Sequence, residues 1–221
     1  MSGIDLSHIR HWIFDLDDTL YPSEQGVMRL VQARINAFMV EATGLEAEAA
    51  ATLQKQFLEA HGTTLAGLMA NYAVDPEAFL RQVHDIPLDT LEPNPRLAEA
   101  IRDLPGQKLV FTNGARCHAA RVMERVGLTE VIDGVFAIED MDLVPKPEPA
   151  SYRHLVERFG VEPRRAIFFE DTPRNLMPAA SLGMTTVLIG DRDPGELAAC
   201  IHHREPLLLD FLLKLDLREA A

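Results

Sequence analysis

The sequence predicts an α/β fold in which a Rossmann-like, doubly wound parallel sheet carries an inserted, all-helical cap. Three observations predict it. From residue 95 onward, short apolar segments alternate with helical segments, which is typical of a parallel sheet covered on both faces. The segment 23–86 contains helical patterns only. A further apolar run, 12–16, precedes that segment and supplies one more strand.

The core is expected to comprise residues 1–21 and 91–221. Its five strands are predicted at Ile13–Leu16, 108–113, 135–138, 166–170 and 185–189. Its helices are predicted at 95–103, 115–126, 149–159 and 174–182, and a C-terminal amphipathic helix is predicted within Pro206–Leu217. Gly127, Gly160 and Gly183 follow three of these helices, where a glycine commonly ends a helix.

The cap is expected to comprise residues 22–90 and to contain four helices. In the first, apolar residues between Val27 and Met39 recur at a spacing of three and four, and Gly44 ends it. The second and third are predicted at 46–60 and Leu65–Tyr72. Asp75 and Pro76 provide an N-cap and a first-turn proline for the fourth, which extends to about His84.

Composition narrows the class of partner. The chain has 221 residues, a formal net charge of −13 and a pI near 5.0. This charge disfavours a nucleic acid polymer or an anionic membrane as a partner, whereas a metal ion and a lysine can reverse the potential locally for a small phosphorylated molecule. The 206–217 stretch is too short and too charged to span a bilayer. Nothing in the sequence indicates an oligomeric state.

Localisation is predicted to be cytoplasmic. The N-terminal residues lack the apolar segment of a secretory signal. Cys117 and Cys200 lie far apart without C-x-x-C spacing, so they are expected to be free thiols of a reducing compartment. The eight histidines lack metal-ligand spacing, and packing roles are expected for them.

Two carboxylates end the first apolar run. Asp15 and Asp17 point to one side if strand geometry continues. Bringing two carboxylates together costs free energy unless a cation or a shared proton compensates. Phosphate ester chemistry gives this arrangement a purpose, since one aspartate can attack phosphorus while the other handles the proton of the leaving group. For Asp17 to be protonated near neutral pH, the anionic Asp15 is expected to raise its pKa.

Further polar clusters follow other predicted strands. Thr112-Asn113-Gly114 ends the second strand, Glu170-Asp171 ends a later one, and Lys146 lies between two prolines. Ligands of doubly wound sheets bind beyond the carboxyl ends of the strands, so these groups are expected to converge on Asp15.

Together these four motifs resemble those of the haloacid dehalogenase superfamily, specifically its magnesium-dependent phosphatases. The resemblance implies catalysis by Asp15, Asp17, Thr112 and Lys146. Asp15 would form an aspartyl-phosphate, Asp17 would be general acid and base, and Lys146 would neutralise charge.

The resemblance also implies a Mg²⁺ site and a phosphate site. The metal ligands would be Asp15, Asp17 through its backbone carbonyl, and Asp171, with Glu170 as a further ligand or behind the ligands. Thr112 and Asn113 would hydrogen-bond the phosphoryl oxygens, together with backbone N–H groups near Gly114. Asn175 stands where the commonest form of the last motif carries another aspartate, which affects the outer shell of the metal.

A closer resemblance is to bacterial pyrimidine 5'-nucleotidases. It is carried by Tyr21-Pro22, by the segment 61–65 (His-Gly-Thr-Thr-Leu), by 169–171 and by 174–176. It implies hydrolysis of pyrimidine nucleoside 5'-monophosphates, with Thr63 and Thr64 in a substrate-binding loop of the cap. A plain helix-to-helix turn capped by threonine is the alternative for this loop.

Other functions remain open at this stage. A phosphatase of other small phosphate esters, or a sugar-phosphate mutase, shares the four motifs. A dehalogenase would lack Asp17 and the acidic pair at Glu170-Asp171. A non-catalytic binding module is expected to have lost at least one motif.

Overall fold

The computed structural model of the chain describes residues 6–215. The strands are β1 (His11–Phe14), β2 (Gln107–Phe111), β3 (Gly134–Phe136), β4 (Ala166–Glu170), β5 (Thr185–Ile189) and β6 (His203–Glu205). They form one sheet of order β3-β2-β1-β4-β5-β6 in which every neighbouring pair is parallel. The predicted fold class, a doubly wound α/β sheet with a helical insertion, is confirmed.

Four helices are inserted between β1 and the rest of the sheet. These are α1 (Val27–Thr43), α2 (Ala47–His61), α3 (Thr64–Asn71) and α4 (Pro76–Val83). The helices of the core are α5 (Pro95–Arg102), α6 (Arg116–Val126), α7 (Pro149–Phe159), α8 (Pro173–Ser181) and α9 (Leu208–Leu212). Short 3-10 turns occupy Ser23–Gln25, Ile138–Met141, Pro163–Arg165 and Gly195–Cys200. No helix within residues 6–215 is long and apolar enough to cross a membrane.

The cap helices begin and end for the reasons that the sequence indicates. The Asp75 side chain accepts a hydrogen bond from the backbone N–H of Glu77, and Pro76 occupies the first turn of α4. Gly44 ends α1 in the left-handed conformation, where a glycine meets no Cβ penalty. The division of the chain into a core and a cap at residues 21/22 and 90/91 stays a prediction.

The central strand β1 places alternate side chains on opposite faces of the sheet. Trp12 and Phe14 stack on Phe169 on one face, and their ring centroids lie 6.5 Å and 5.1 Å, respectively, from the centroid of the Phe169 ring. Ile13 belongs to the hydrophobic cluster of the other face, which also contains Phe111 and continues into the cap helices. Helix α1 also contributes Val27 and Val31 to the cluster that contains Trp12 and Phe14. The cap therefore packs with the residues of both faces of the sheet, and β1 is covered on both faces.

The prediction of five strands was wrong by one. The sixth strand, β6, pairs with β5 at the sheet edge, with His203 opposite Val187. Its sequence, His-Arg-Glu, contains no apolar residue. A strand at the sheet edge can be polar, because it is less covered by other elements and pairs with its neighbour through backbone hydrogen bonds. The C-terminal helix is shorter than predicted, and Asp216 and Leu217 lie outside the described residues.

Candidate active site

Three neighbouring strands deliver the predicted acidic and hydroxyl groups to one edge of the sheet. Asp15 follows β1, Thr112 follows β2, and Asp171 follows β4, and β1 lies between the other two. The backbone N–H of Asp15 donates to the carbonyl of Phe169, 2.8 Å away, so strand pairing continues into the site. The structure thus brings the three motifs together as the strand order requires.

Lys146 is the central cation of the site. Its ammonium group donates to Asp15 Oδ1 at 2.8 Å, to Glu170 Oε2 at 2.7 Å and to the carbonyl of Phe111 at 2.9 Å. The residue is 1% exposed. Burial disfavours its charge, but the adjacent Asp15 and Glu170 carboxylates outweigh burial and raise the pKa of Lys146 above its ordinary value. All three N–H groups are used, so Lys146 is held as a fixed charge between two acids.

Asn113 holds the backbone of Lys146. Its Nδ2 donates to the carbonyl of Lys146 at 3.0 Å, and its Oδ1 accepts from the N–H of Lys146 at 2.7 Å. These two hydrogen bonds fix the loop that carries Lys146, and Asn113 also lines a cavity at this site. Its predicted contact with a phosphoryl group stays a prediction.

Gly114 lies where a side chain has little room. A Cβ atom on it would lie 3.2 Å from Thr112 Oγ1 and 3.5 Å from Asp17 Oδ2. Its backbone N–H donates to Thr112 Oγ1 at 2.9 Å. Thr112 is buried, and its hydroxyl proton remains available as a donor to an oxyanion. The predicted roles of Thr112 and Gly114 in phosphate binding stay predictions.

Three carboxylates form a buried cluster. Asp15, Glu170 and Asp171 each offer an oxygen, and these atoms lie within 4.8 Å of one another. Burial, followed by the charge of Glu170, raises the pKa of Asp15 to about 8. Burial also raises the pKa of Glu170 to about 7 and, together with Asp15, that of Asp171 to about 6. These shifts arise because the three acids are buried together, and Lys146 with Arg192, which lies 2.9 Å from Asp171, does not fully compensate for burial and mutual repulsion.

The cluster fits a Mg²⁺ ion. Hard carboxylate oxygens are its preferred ligands, and a divalent cation would balance the excess negative charge. The side-chain oxygen of Asn175 is buried nearby in the cavity lining without a hydrogen-bond partner among residues 6–215, so it is free to face a metal-bound water. The Asp17 carboxylate does not belong to the cluster, and metal ligation by its backbone carbonyl stays a prediction.

Asp17 lines the same cavity but has its own hydrogen-bond partners. Its Oδ1 lies 2.8 Å from His118 Nε2 and 2.5 Å from the Tyr21 hydroxyl. Burial raises its pKa, but the charge and hydrogen bond of His118 and the hydrogen bond of Tyr21 outweigh burial and lower the pKa of Asp17. The expectation of a raised pKa caused by Asp15 was wrong, because the partners that decide it are His118 and Tyr21.

A cavity of about 320 Å³ joins the acidic cluster to the cap. Thr63 and Thr64 line it, and their predicted contact with a substrate stays a prediction. Thr63 Oγ1 also caps α3 by accepting from the N–H of Ala66, and Thr64 Oγ1 accepts from Gln54 at 3.3 Å. The loop is therefore both a capped helix turn and part of the cavity wall, so the two readings of the sequence are compatible.

Sequence reasoning missed two arginines at the cavity. Arg192, after β5, lies 2.9 Å from Asp171 Oδ2 and donates to the Thr172 hydroxyl at 2.6 Å. Arg174 donates to the carbonyl of Gly62 at 3.2 Å, which joins α8 to the cap loop. Arg174 lies in the segment 174–176 that carries the family resemblance, but no role follows from its position there, and nothing in the local sequence marks Arg192.

Comparisons with known proteins agree with this geometry. A family model described as haloacid dehalogenase-like hydrolase matches residues 9–183. "Phosphate metabolism protein 8" of Saccharomyces cerevisiae is 27% identical over 194 residues, which are 80% of this chain and 60% of that protein. "Glyceraldehyde 3-phosphate phosphatase" of Methanocaldococcus jannaschii is 24% identical over 82% of this chain and 85% of its own.

Solved structures show the same fold. A structure described as a HAD phosphatase from Thermococcus onnurineus superposes with a TM-score of 0.59 at 22% identity, covering 93% of this chain and 97% of that chain. At this identity the likeness concerns the fold alone.

Proposed function

The chain belongs to the haloacid dehalogenase-like hydrolase family, and we propose that it is a phosphatase of small phosphate monoesters that acts through an aspartyl-phosphate on Asp15. The observation that carries this proposal is the buried triangle of Asp15, Lys146 and Glu170 at the base of the cavity. It holds one carboxylate at a fixed place beside a permanent positive charge, as attack on an anionic phosphoryl group requires.

The residues divide the reaction between them. The free oxygen of Asp15 attacks phosphorus, and the bond to the ester oxygen breaks. The lowered pKa of Asp17 makes its protonated form a minority of molecules and a strong acid. That form gives its proton to the ester oxygen, and the resulting carboxylate later takes a proton from the water that hydrolyses the aspartyl-phosphate. Lys146 keeps Asp15 oriented through both steps. Asp15, Glu170 and Asp171 would hold Mg²⁺, which supplies positive charge for the phosphoryl oxygens.

We further propose that the leaving group is a pyrimidine nucleoside. The cap side of the cavity carries a row of polar groups in which Gln32 Nε2 donates to Gln54 Oε1 at 2.9 Å and Gln54 Nε2 donates to Thr64 Oγ1 at 3.3 Å. The lining of the same cavity also includes the apolar side chains of Ile35 and Phe79. A cavity lined by both apolar side chains and amide groups suits a flat ring with polar edges, and uracil and cytosine have this character.

A comparison of substrates tests both levels of the proposal. We expect kcat/KM for UMP and CMP to exceed that for AMP, glucose 6-phosphate and glyceraldehyde 3-phosphate at saturating Mg²⁺. Release of inorganic phosphate from any ester supports the phosphatase and distinguishes it from a mutase. If the sugar phosphates match the pyrimidine nucleotides, the nucleotide assignment fails and the phosphatase assignment stands.

A cap variant sharpens the test. Gln54→Leu removes the central amide of the row and is expected to lower kcat/KM for UMP by about ten- to a hundredfold, the effect of one lost buried hydrogen bond. Activity on p-nitrophenyl phosphate should change little, because that leaving group lacks the polar edge. Gln82→Leu is the matched control, since Gln82 bonds to Glu41 on the exposed surface of the cap.

The relative named for glyceraldehyde 3-phosphate favours a second candidate, a phosphatase of small sugar phosphates. The same substrate series decides between the two. A small polyol would meet few hydroxyl partners on the apolar side chains of the lining, and this is the reason for ranking it second.

A further inference from the structure

We propose that His118 and Tyr21 are positioning residues that fix the general acid Asp17 by two hydrogen bonds to one of its oxygens. The proposal rests on the proposed phosphatase function. It goes beyond the four motifs, because neither residue belongs to them.

Both hydrogen bonds end on the same atom. His118 Nε2 lies 2.8 Å and the Tyr21 hydroxyl 2.5 Å from Asp17 Oδ1. Because the acceptor is a carboxylate oxygen, we assign the proton to His118 Nε2. Asp17 Oδ2 lies on the side of Gly114 and of the cavity. Two donors on Oδ1 leave Oδ2 as the oxygen that carries the transferred proton.

Packing and hydrogen bonding fix the orientation of the His118 ring. The residue is fully buried, and its ring stacks on His84 with centroids 4.6 Å apart and an interplanar angle of 25°. His84 Nδ1 donates to the carbonyl of Leu80 at the end of α4. His118 Nδ1 has no hydrogen-bond partner among the described residues. A proton on that nitrogen would be a buried unsatisfied donor, which favours the tautomer that donates from Nε2 to Asp17.

The two donors on Oδ1 stabilise the carboxylate form of Asp17, and this affects both steps of the reaction. In the first step the minority protonated form of Asp17 gives the proton on Oδ2 to the leaving oxygen, and it does so readily because both donors on Oδ1 stabilise the carboxylate that results. In the second step Oδ2 takes a proton from water while the water oxygen bonds to phosphorus and the bond from phosphorus to Asp15 breaks. Fixed donors prevent the carboxylate from rotating between the two steps, so Oδ2 stays directed at the reacting oxygen.

Two variants of His118 separate the hydrogen bond from the packing. His118→Phe keeps a ring on His84 and removes the donor, whereas His118→Gln keeps an N–H donor at a similar reach and removes the ring. The measurement is the single-turnover rate of phosphorylation with p-nitrophenyl phosphate and with an alkyl phosphate. His154→Phe is a matched control on α7.

We expect His118→Phe to slow the alkyl phosphate by about ten- to a hundredfold, since a lost hydrogen bond to a charged group has this effect. Its effect on p-nitrophenyl phosphate should be about twofold, because that leaving group needs little proton transfer. His118→Gln should recover most of the loss, and KM should be unchanged throughout. Tyr21→Phe removes one donor with almost no change in volume, and it tests the same oxygen if His118→Phe does not fold.

The outcomes are distinct. If wild-type protein hydrolyses no ester, the proposed function itself fails. If wild type is active and Asp17→Asn shows the leaving-group effect while His118→Phe and Tyr21→Phe do not, the positioning role is overturned and the phosphatase assignment stands. Equal losses on both substrates, without recovery in His118→Gln, would show a role in folding only and would also overturn the proposal.

Discussion

Replacing Lys146 by methionine tests whether one buried cation holds the site together. The change keeps an unbranched side chain of similar length and removes three hydrogen bonds. Those bonds now join Lys146 to Asp15, to Glu170 and to the carbonyl of Phe111, all at 2.7–2.9 Å. After the change, two buried carboxylates face each other without a cation between them.

The expected loss of unfolding free energy is about 3 to 5 kcal/mol in EDTA at about pH 9, where both carboxylates are ionised, because this is the usual cost of leaving a buried charge unpaired. The loss should shrink at about pH 5.5. Burial raises the pKa of Asp15 to about 8 and that of Glu170 to about 7, so at low pH both acids become neutral and need no cation. Under those conditions the wild-type lysine is the group without an anionic partner.

Urea denaturation at the two pH values, with metal removed, measures the difference. Lys108→Met is the matched control, because Lys108 pairs with the half-exposed Asp133 at 3.7 Å and should lose only about 0 to 1 kcal/mol. A loss for Lys146→Met below about 1 kcal/mol at the higher pH, or an equal loss at both pH values, would refute the assignment of Lys146 as the balancing charge.

The remaining predictions concern the nucleophile, the metal and the phosphate loop. Asp15→Asn is expected to retain less than about a hundredth of wild-type turnover, and substantial turnover would contradict the nucleophile assignment. In EDTA the variant should melt at a higher temperature than the wild type, because it removes one of three buried acids that repel each other. Removing Mg²⁺ should abolish phosphatase activity, and full activity after verified metal removal would exclude a catalytic metal. In EDTA the melting temperature of the wild type should fall as pH rises from about 5 to 8. The pKa of Asp15 in the folded state is about 8 and lies above its unfolded value, so the folded state binds more protons than the unfolded state in this pH range. A melting temperature that rises over this range would contradict the assignment. Gly114→Ala should lower kcat, because its Cβ would lie 3.2 Å from Thr112 Oγ1; unchanged kinetics would show that the loop adapts.

The sequence by itself determined the sheet core and the convergence of the motifs. Apolar runs ending in Asp15, Thr112 and Glu170-Asp171 marked buried strands, and parallel strands place their carboxyl ends at one edge. Local chemistry also determined the cap helices, whose caps and apolar periodicity lie within a few residues of each helix. The edge strand β6 was not predicted, because its residues are polar and its pairing with β5 through the backbone leaves no apolar pattern in the sequence.

Only the tertiary structure decided the direction and partners of the polar side chains. Asp17 and His118 are separated by 101 positions, and the sequence indicates no relation between them. Asn113 makes two hydrogen bonds with the backbone of Lys146, 33 positions away, and the local sequence does not indicate them. A side chain at the end of a strand has several conformations of similar energy when only its local sequence is considered. The choice is made by buried donors and acceptors that folding brings from distant segments, since an unpaired buried polar group costs more than any local preference.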